Sequence, residues 1–179
     1  MTSSERETRP GGKPSVGRSR SVLRSVCRIV GIAVGVYVGL CIILYFFQSH
    51  LLYHPDDQVT GTPARLGLNY DEVTLTTADG VRLTAWYVPA ETPQGTVLFC
   101  HGNAGNLSDR LSTIDVWHDL GWNLLLFDYR GFGESEGRPD EAGTYRDAEA
   151  AWRYLTVERG VAAGDLVVHG RSLGGAVAA

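Results

Sequence analysis

The stretch DLVVHGRSLGGAVAA, residues 165–179, decides how the rest of the chain is read. It opens as a short apolar, β-branched run. It then breaks at Gly170-Arg171-Ser172-Leu173-Gly174 and continues in small residues compatible with a helix. A serine framed by glycines between a strand and a helix sits on a sharp, strained turn that holds its hydroxyl out at a sheet edge. The same Gly-x-Ser-x-Gly pattern recurs at Gly133-Glu134-Ser135-Glu136-Gly137. There, two glutamates flank the serine and would disfavour an alkoxide, and Pro139 blocks an immediate helix. Context selects Ser172 as the candidate nucleophile and leaves Ser135 to a loop.

Upstream of this turn, short β-rich runs alternate with helical patterns. Residues 72–77 and 81–88 flank Ala78-Asp79-Gly80 and read as a hairpin. GTVLFC (95–100) and WNLLLFDY (122–129) are continuous apolar runs, as expected of strands covered on both faces. Residues 107–120 read as a helix, and 140–159 as another, with Ala148, Ala151, Trp152 and Leu155 at helical spacing. The alternation predicts an α/β fold, a mostly parallel sheet with helices on both faces. On such a sheet, ligands bind at the carboxyl ends of strands. Three edges stand out: His101-Gly102-Asn103-Ala104-Gly105-Asn106, Asp128-Tyr129-Arg130-Gly131-Phe132-Gly133, and the Ser172 turn.

At the other end, residues 29–47 form a nineteen-residue run without a charge, about 28 Å as a helix and enough for one membrane crossing. Tyr45, Phe46, Phe47 and Tyr53 fall where an interfacial belt would sit, while Arg18, Arg20, Arg24 and Arg28 flank the opposite end. An uncleaved signal anchor is expected, because no small-x-small site follows Phe47 and Leu40 precedes Cys41 where a lipoprotein signal needs a small residue. The positive-inside rule then places the N-terminus in the cytoplasm and the body outside it, periplasmic or extracellular in a bacterium. Residues 1–28 read as a disordered basic head, 48–70 as a linker, and 71–179 as the folded body.

The charge pattern excludes several function classes. Residues 1–28 hold seven Arg/Lys against two Glu, whereas residues 48–179 hold nine against eighteen Asp/Glu. An acidic body argues against nucleic-acid binding, which rests on cationic contacts to phosphate. Cys27, Cys41 and Cys100 make neither a disulfide framework nor a zinc spacing. His50 and His54 have an i, i+4 spacing, but Pro55 follows and no third ligand is evident, so no metal is expected. The glycines at 131, 133 and 137 mimic a dinucleotide fingerprint, but Glu134 and Glu136 would repel a pyrophosphate, and no organic cofactor is expected. Asp128 reads as a brace for the loop that follows it, and His118 and His169 read as structural.

Taken in order, HGNAGN after a buried strand, DYRGFGES and GRSLGG resemble the α/β-hydrolase family, specifically its membrane-anchored BEM46-like branch, and LLYHP after the apolar run fits the same pattern. The resemblance covers residues 40–179. It implies Ser172 as the nucleophile, with the backbone N–H groups of Asn103 and Leu173 as the oxyanion hole and Ala104 as an alternative donor. It also implies cleavage of an ester or thioester, with lipid-like acyl groups favoured by the anchor. A serine peptidase of the same fold would share these motifs. The triad acid and base follow the nucleophile on this fold, so the chain reads as the N-terminal part of a longer hydrolase, inactive as a fragment. The competing expectation is a membrane-tethered, non-catalytic binding module.

Overall fold

The computed structural model describes residues 16–179. The described chain divides into two compact units, parted between Phe47 and Gln48. Helix α1 (Val16–Leu52) contains the apolar run. Within it, Val22–Leu52 contains an 18-residue window of mean hydropathy 2.5 and is long and apolar enough to cross a membrane. At 1.5 Å per residue this stretch is about 46 Å long, beyond the ~30 Å of a hydrocarbon core. The helix overruns the expected 29–47 at both ends. Once the apolar stretch is helical, adding turns costs little, and the arginines before it are good helix formers. Of the head expected to be disordered over 1–28, the part from Val16 onward lies in helix α1, and residues 1–15 lie outside those described. The helix stops at Leu52 because Pro55 disfavours helical backbone at His54.

The expected linker at 48–70 belongs to the second unit. Strand β1 (His54–Pro55) pairs in parallel with β5 (Ala104–Gly105), placing His54 opposite Ala104. Tyr53 is buried, with its ring edge-on to Phe132. A two-residue strand has no periodicity to read, so it is invisible to pattern analysis.

The main sheet has five strands, β2 (Asp71–Thr76), β3 (Arg82–Val88), β4 (Thr96–Cys100), β6 (Asn123–Phe127) and β7 (Leu166–Gly170), in the order β2-β3-β6-β4-β7. It is mixed. The hairpin β2–β3 and the pair β3–β6 are antiparallel, while β6–β4 and β4–β7 are parallel. The apolar runs alternate between two cores, as a period of two requires. Leu98, Leu125 and Phe127 face Ala151 and Leu155 of α3 (Glu141–Arg153) and its wider last turn. Val97, Phe99, Leu124 and Leu126 face Ile114 of α2 (Leu111–Asp119). Helices thus cover both faces.

The elements that frame the site have clear local causes. The turn before α2 starts with a capping box, Ser108 N donating to Asn106 Oδ1 at 2.9 Å and Asn106 N to Asp109 Oδ2 at 2.9 Å. Asp140 caps α3 by accepting from Gly143 N at 2.8 Å.

Candidate active site

Strand β7 runs through Arg171 into Ser172 and on to the short helix α4 (Leu173–Val177). Ser172 has φ 55° and ψ −118°, and among the described residues it is the one non-glycine with positive φ. Holding a serine there costs about 1–3 kcal/mol, a strain that clusters at functional sites. The flanking glycines let backbone pass where no side chain could. A Cβ on Gly170 would lie 2.0 Å from Gly174 O, and one on Gly174 would lie 1.9 Å from Cys100 O. Arg171 N donates to Cys100 O at 3.0 Å, locking the turn to the end of β4, and Gly175 N donates to Ser172 O at 2.9 Å within the turn. The Ser172 residue is exposed.

Beside it lies the turn after β4. A Cβ on Gly102 would lie 3.6 Å from Ser172 Cβ, so the Gly102-Asn103 corner sits against the candidate nucleophile. Asn103 O accepts from His54 N at 2.8 Å, and Asn103 Nδ2 donates to Leu52 O at 2.6 Å. Arg110 donates to Ala104 O. The corner is thus tied to the segment leaving α1. Leu173 occupies the first position of α4, where an amide has no partner inside the helix.

The second Gly-x-Ser-x-Gly is closed. Ser135 is buried, donates to Asp128 O at 2.9 Å and accepts from Thr84 N at 2.9 Å. Asp128 is a correction to the brace reading. Its main chain holds the loop, but its carboxylate faces back to His101, Oδ1 lying 3.3 Å from Nε2, with both residues fully buried. The brace of the loop is Arg130, a residue whose role no sequence motif signals. Its guanidinium meets Asp147 Oδ1 at 2.8 Å and Asp79 Oδ2 at 2.9 Å, and its N–H donates to Asp147 Oδ2 at 2.9 Å. Arg130 in turn holds the Asp79 carboxyl well below the usual carboxylate range. His169 packs as a ring, stacked on Phe99 at 5.3 Å and edge-on to Trp117 at 5.5 Å. Among the described residues no group of three or more His, Cys, Asp or Glu is placed to hold a metal ion.

A cavity of about 540 Å³ adjoins the turn, lined by Leu52, Tyr53, Thr144, Tyr145, Leu173 and Val177 among others, with Asp140 and Glu141 at its polar side. That size falls within the ordinary range of small-molecule sites.

Residues 95–179 match the family model described as the alpha/beta hydrolase fold. The chain is 40% identical over 145 residues to the alpha/beta hydrolase domain-containing protein WAV2 of Arabidopsis thaliana, a match covering 76% of this chain and 47% of that protein. It is 36% identical over 138 residues to the membrane protein YNL320W of Saccharomyces cerevisiae, covering 74% and 49%. Among solved structures, the Pyrococcus furiosus esterase Pf2001 superposes with a TM-score of 0.60 at 28% identity, over 71% of this chain and 49% of that one. The chain belongs to the α/β-hydrolase superfamily. It spans about half the length of the curated relatives it matches.

Proposed function

We propose that this protein is the nucleophile-bearing part of a membrane-anchored serine hydrolase of the BEM46-like branch, acting on esters or thioesters. The observation that carries the reading is the backbone of Ser172, a strained elbow whose φ no other non-glycine among the described residues shares. Ser172 Oγ attacks the acyl carbon and gives its proton to a general base. The oxygen of the tetrahedral intermediate takes hydrogen bonds from the N–H groups of Asn103 and Leu173, and the alcohol or thiol leaves with the proton. Water then attacks the acyl-enzyme and frees Ser172. Acid and base follow the nucleophile in sequence order on this fold, so the reading assigns both to positions C-terminal to Ser172. The apolar wall of the cavity, Leu52, Leu173 and Val177, suits an acyl group, and α1 would tether the protein to the bilayer with its arginine-flanked end in the cytoplasm.

Turnover of p-nitrophenyl esters of graded acyl length by the full-length protein in detergent tests this. Medium or long acyl groups are expected to turn over faster than acetate, with Ser172→Ala at least about 1,000-fold slower. Undiminished turnover in Ser172→Ala would sink the reading, and absence of any turnover would favour a binding module.

A further inference from the structure

We propose that His101 and Asp128 form a positioning pair that aims the Asn103 N–H at the oxyanion. The pair acts through the Gly102–Asn103 peptide, and the inference rests on the reading of Ser172 as nucleophile. Among the described residues, four buried side-chain polar atoms lack a hydrogen bond, and three belong to these two residues: His101 Nε2 and both Asp128 oxygens. Folded proteins leave few such groups, and each asks for a reason. A carboxylate kept fully buried against a single imidazole costs stability that an apolar residue of similar size would not.

The acceptor opposite Nδ1 fixes one hydrogen of the ring. His101 Nδ1 lies 2.6 Å from Gly102 O. A carbonyl only accepts, so Nδ1 carries a hydrogen. Nε2 lies 3.3 Å from Asp128 Oδ1, in charge contact but outside hydrogen-bond geometry. A carboxylate beside Nε2 favours a ring with a hydrogen on each nitrogen, and so one whose Nδ1 can donate. Donation to Gly102 O sets the direction of the next amide, because C=O and N–H of one trans peptide point opposite ways. The Gly102–Asn103 peptide supplies both the carbonyl that His101 holds and the N–H assigned to the oxyanion hole.

The surroundings restrict the pair to this arrangement. Tyr129 packs on the imidazole at 4.5 Å and Phe132 at 5.4 Å, and Tyr129 donates its hydroxyl to His101 O at 3.1 Å. Behind the carboxylate, Gly133 has φ +52°, and a Cβ there would lie 2.2 Å from Asp128 Oδ2.

The test combines kinetics with a spectroscopic readout on the full-length protein. Asp128→Ala frees the imidazole to change tautomer, and is expected to lower kcat for a p-nitrophenyl ester by about 10- to 100-fold, with KM within about threefold. Asp128→Asn can donate its amide to Nε2 and keep Nδ1 protonated, so it is expected to recover most of the lost kcat. An Ala variant with wild-type kcat, or an Asn variant no better than Ala, overturns the proposal. Should Asp128→Ala fail to fold, ¹⁵N spectra of histidine-labelled wild-type protein decide. A protonated Nδ1 on His101 is expected, and an unprotonated one refutes the pair while leaving the hydrolase reading intact. Loss of Ser172-dependent turnover in the wild type would instead sink that reading and this inference with it.

Discussion

Gly174 and Gly175 are neighbours at the start of α4, yet alanine should act on them in opposite directions. At Gly174 the new Cβ would lie 1.9 Å from Cys100 O, 2.5 Å from Cys100 C and 2.6 Å from His101 O. Ordinary contact begins at 3.4 Å, so β4 and the elbow must part by about 1.5 Å (3.4 − 1.9). The obstructing atoms are backbone, and Cys100 O is held by Arg171 N at 3.0 Å, so no side chain can swing aside. Overpacking of this kind costs about 3 kcal/mol. At Gly175 the nearest atom to a Cβ is 3.8 Å away, and alanine there gains roughly 0.5–1 kcal/mol from helix propensity. The two variants should differ by about 4 kcal/mol, on the order of 15 °C in Tm for a unit of this size. Urea unfolding of the full-length protein in micelles, followed through the four tryptophans, all in the second unit, measures the difference. Equal midpoints for the two variants would refute the close crossing of elbow and strand.

Three further expectations follow from other contacts. Ser135→Ala removes the acceptor of Thr84 N and the donor to Asp128 O; urea unfolding should show a loss of about 1–3 kcal/mol, with Ser172 chemistry retained. Asp79, its carboxyl held low chiefly by Arg130 and then by Thr77, contributes stability that is present above the unfolded carboxylate value and lost as pH falls through the folded one. Tm should therefore drop more steeply below pH 4 in wild type than in Asp79→Asn, and parallel curves would contradict the clamp. Burial pushes the Cys100 thiol up to about 12; peptide mapping after iodoacetamide at pH 8 should find it unmodified in the native protein and alkylated in denaturant.

Much of the fold is legible in local pattern because its parallel half is written in continuous apolar runs. β4, β6 and β7 fall within the predicted runs, and the elbow sits where glycine spacing between strand and helix places it. The hairpin is equally plain from Ala78-Asp79-Gly80. The rest depends on contacts between distant segments. Pairing of His54-Pro55 with Ala104-Gly105 leaves no periodic trace, so residues 48–70 look like a linker though they help to build the site. Asp128 looks like a loop brace because a strand-end aspartate commonly is one, and only the fold shows its carboxylate turned to His101. Arg130 sits in the turn Asp128-Tyr129-Arg130-Gly131, and its partners Asp79 and Asp147 lie in separate elements whose meeting no spacing rule predicts. Context alone separates the second Gly-x-Ser-x-Gly from the first, and the buried hydroxyl of Ser135 supplies the physical reason.

The nucleophilicity proposed for Ser172 is read out by mass mapping of a fluorophosphonate adduct on the full-length protein. One adduct is expected, on the peptide carrying Ser172, absent from Ser172→Ala and unchanged in Ser135→Ala. An adduct on Ser135, or none at all on the folded protein, would contradict it.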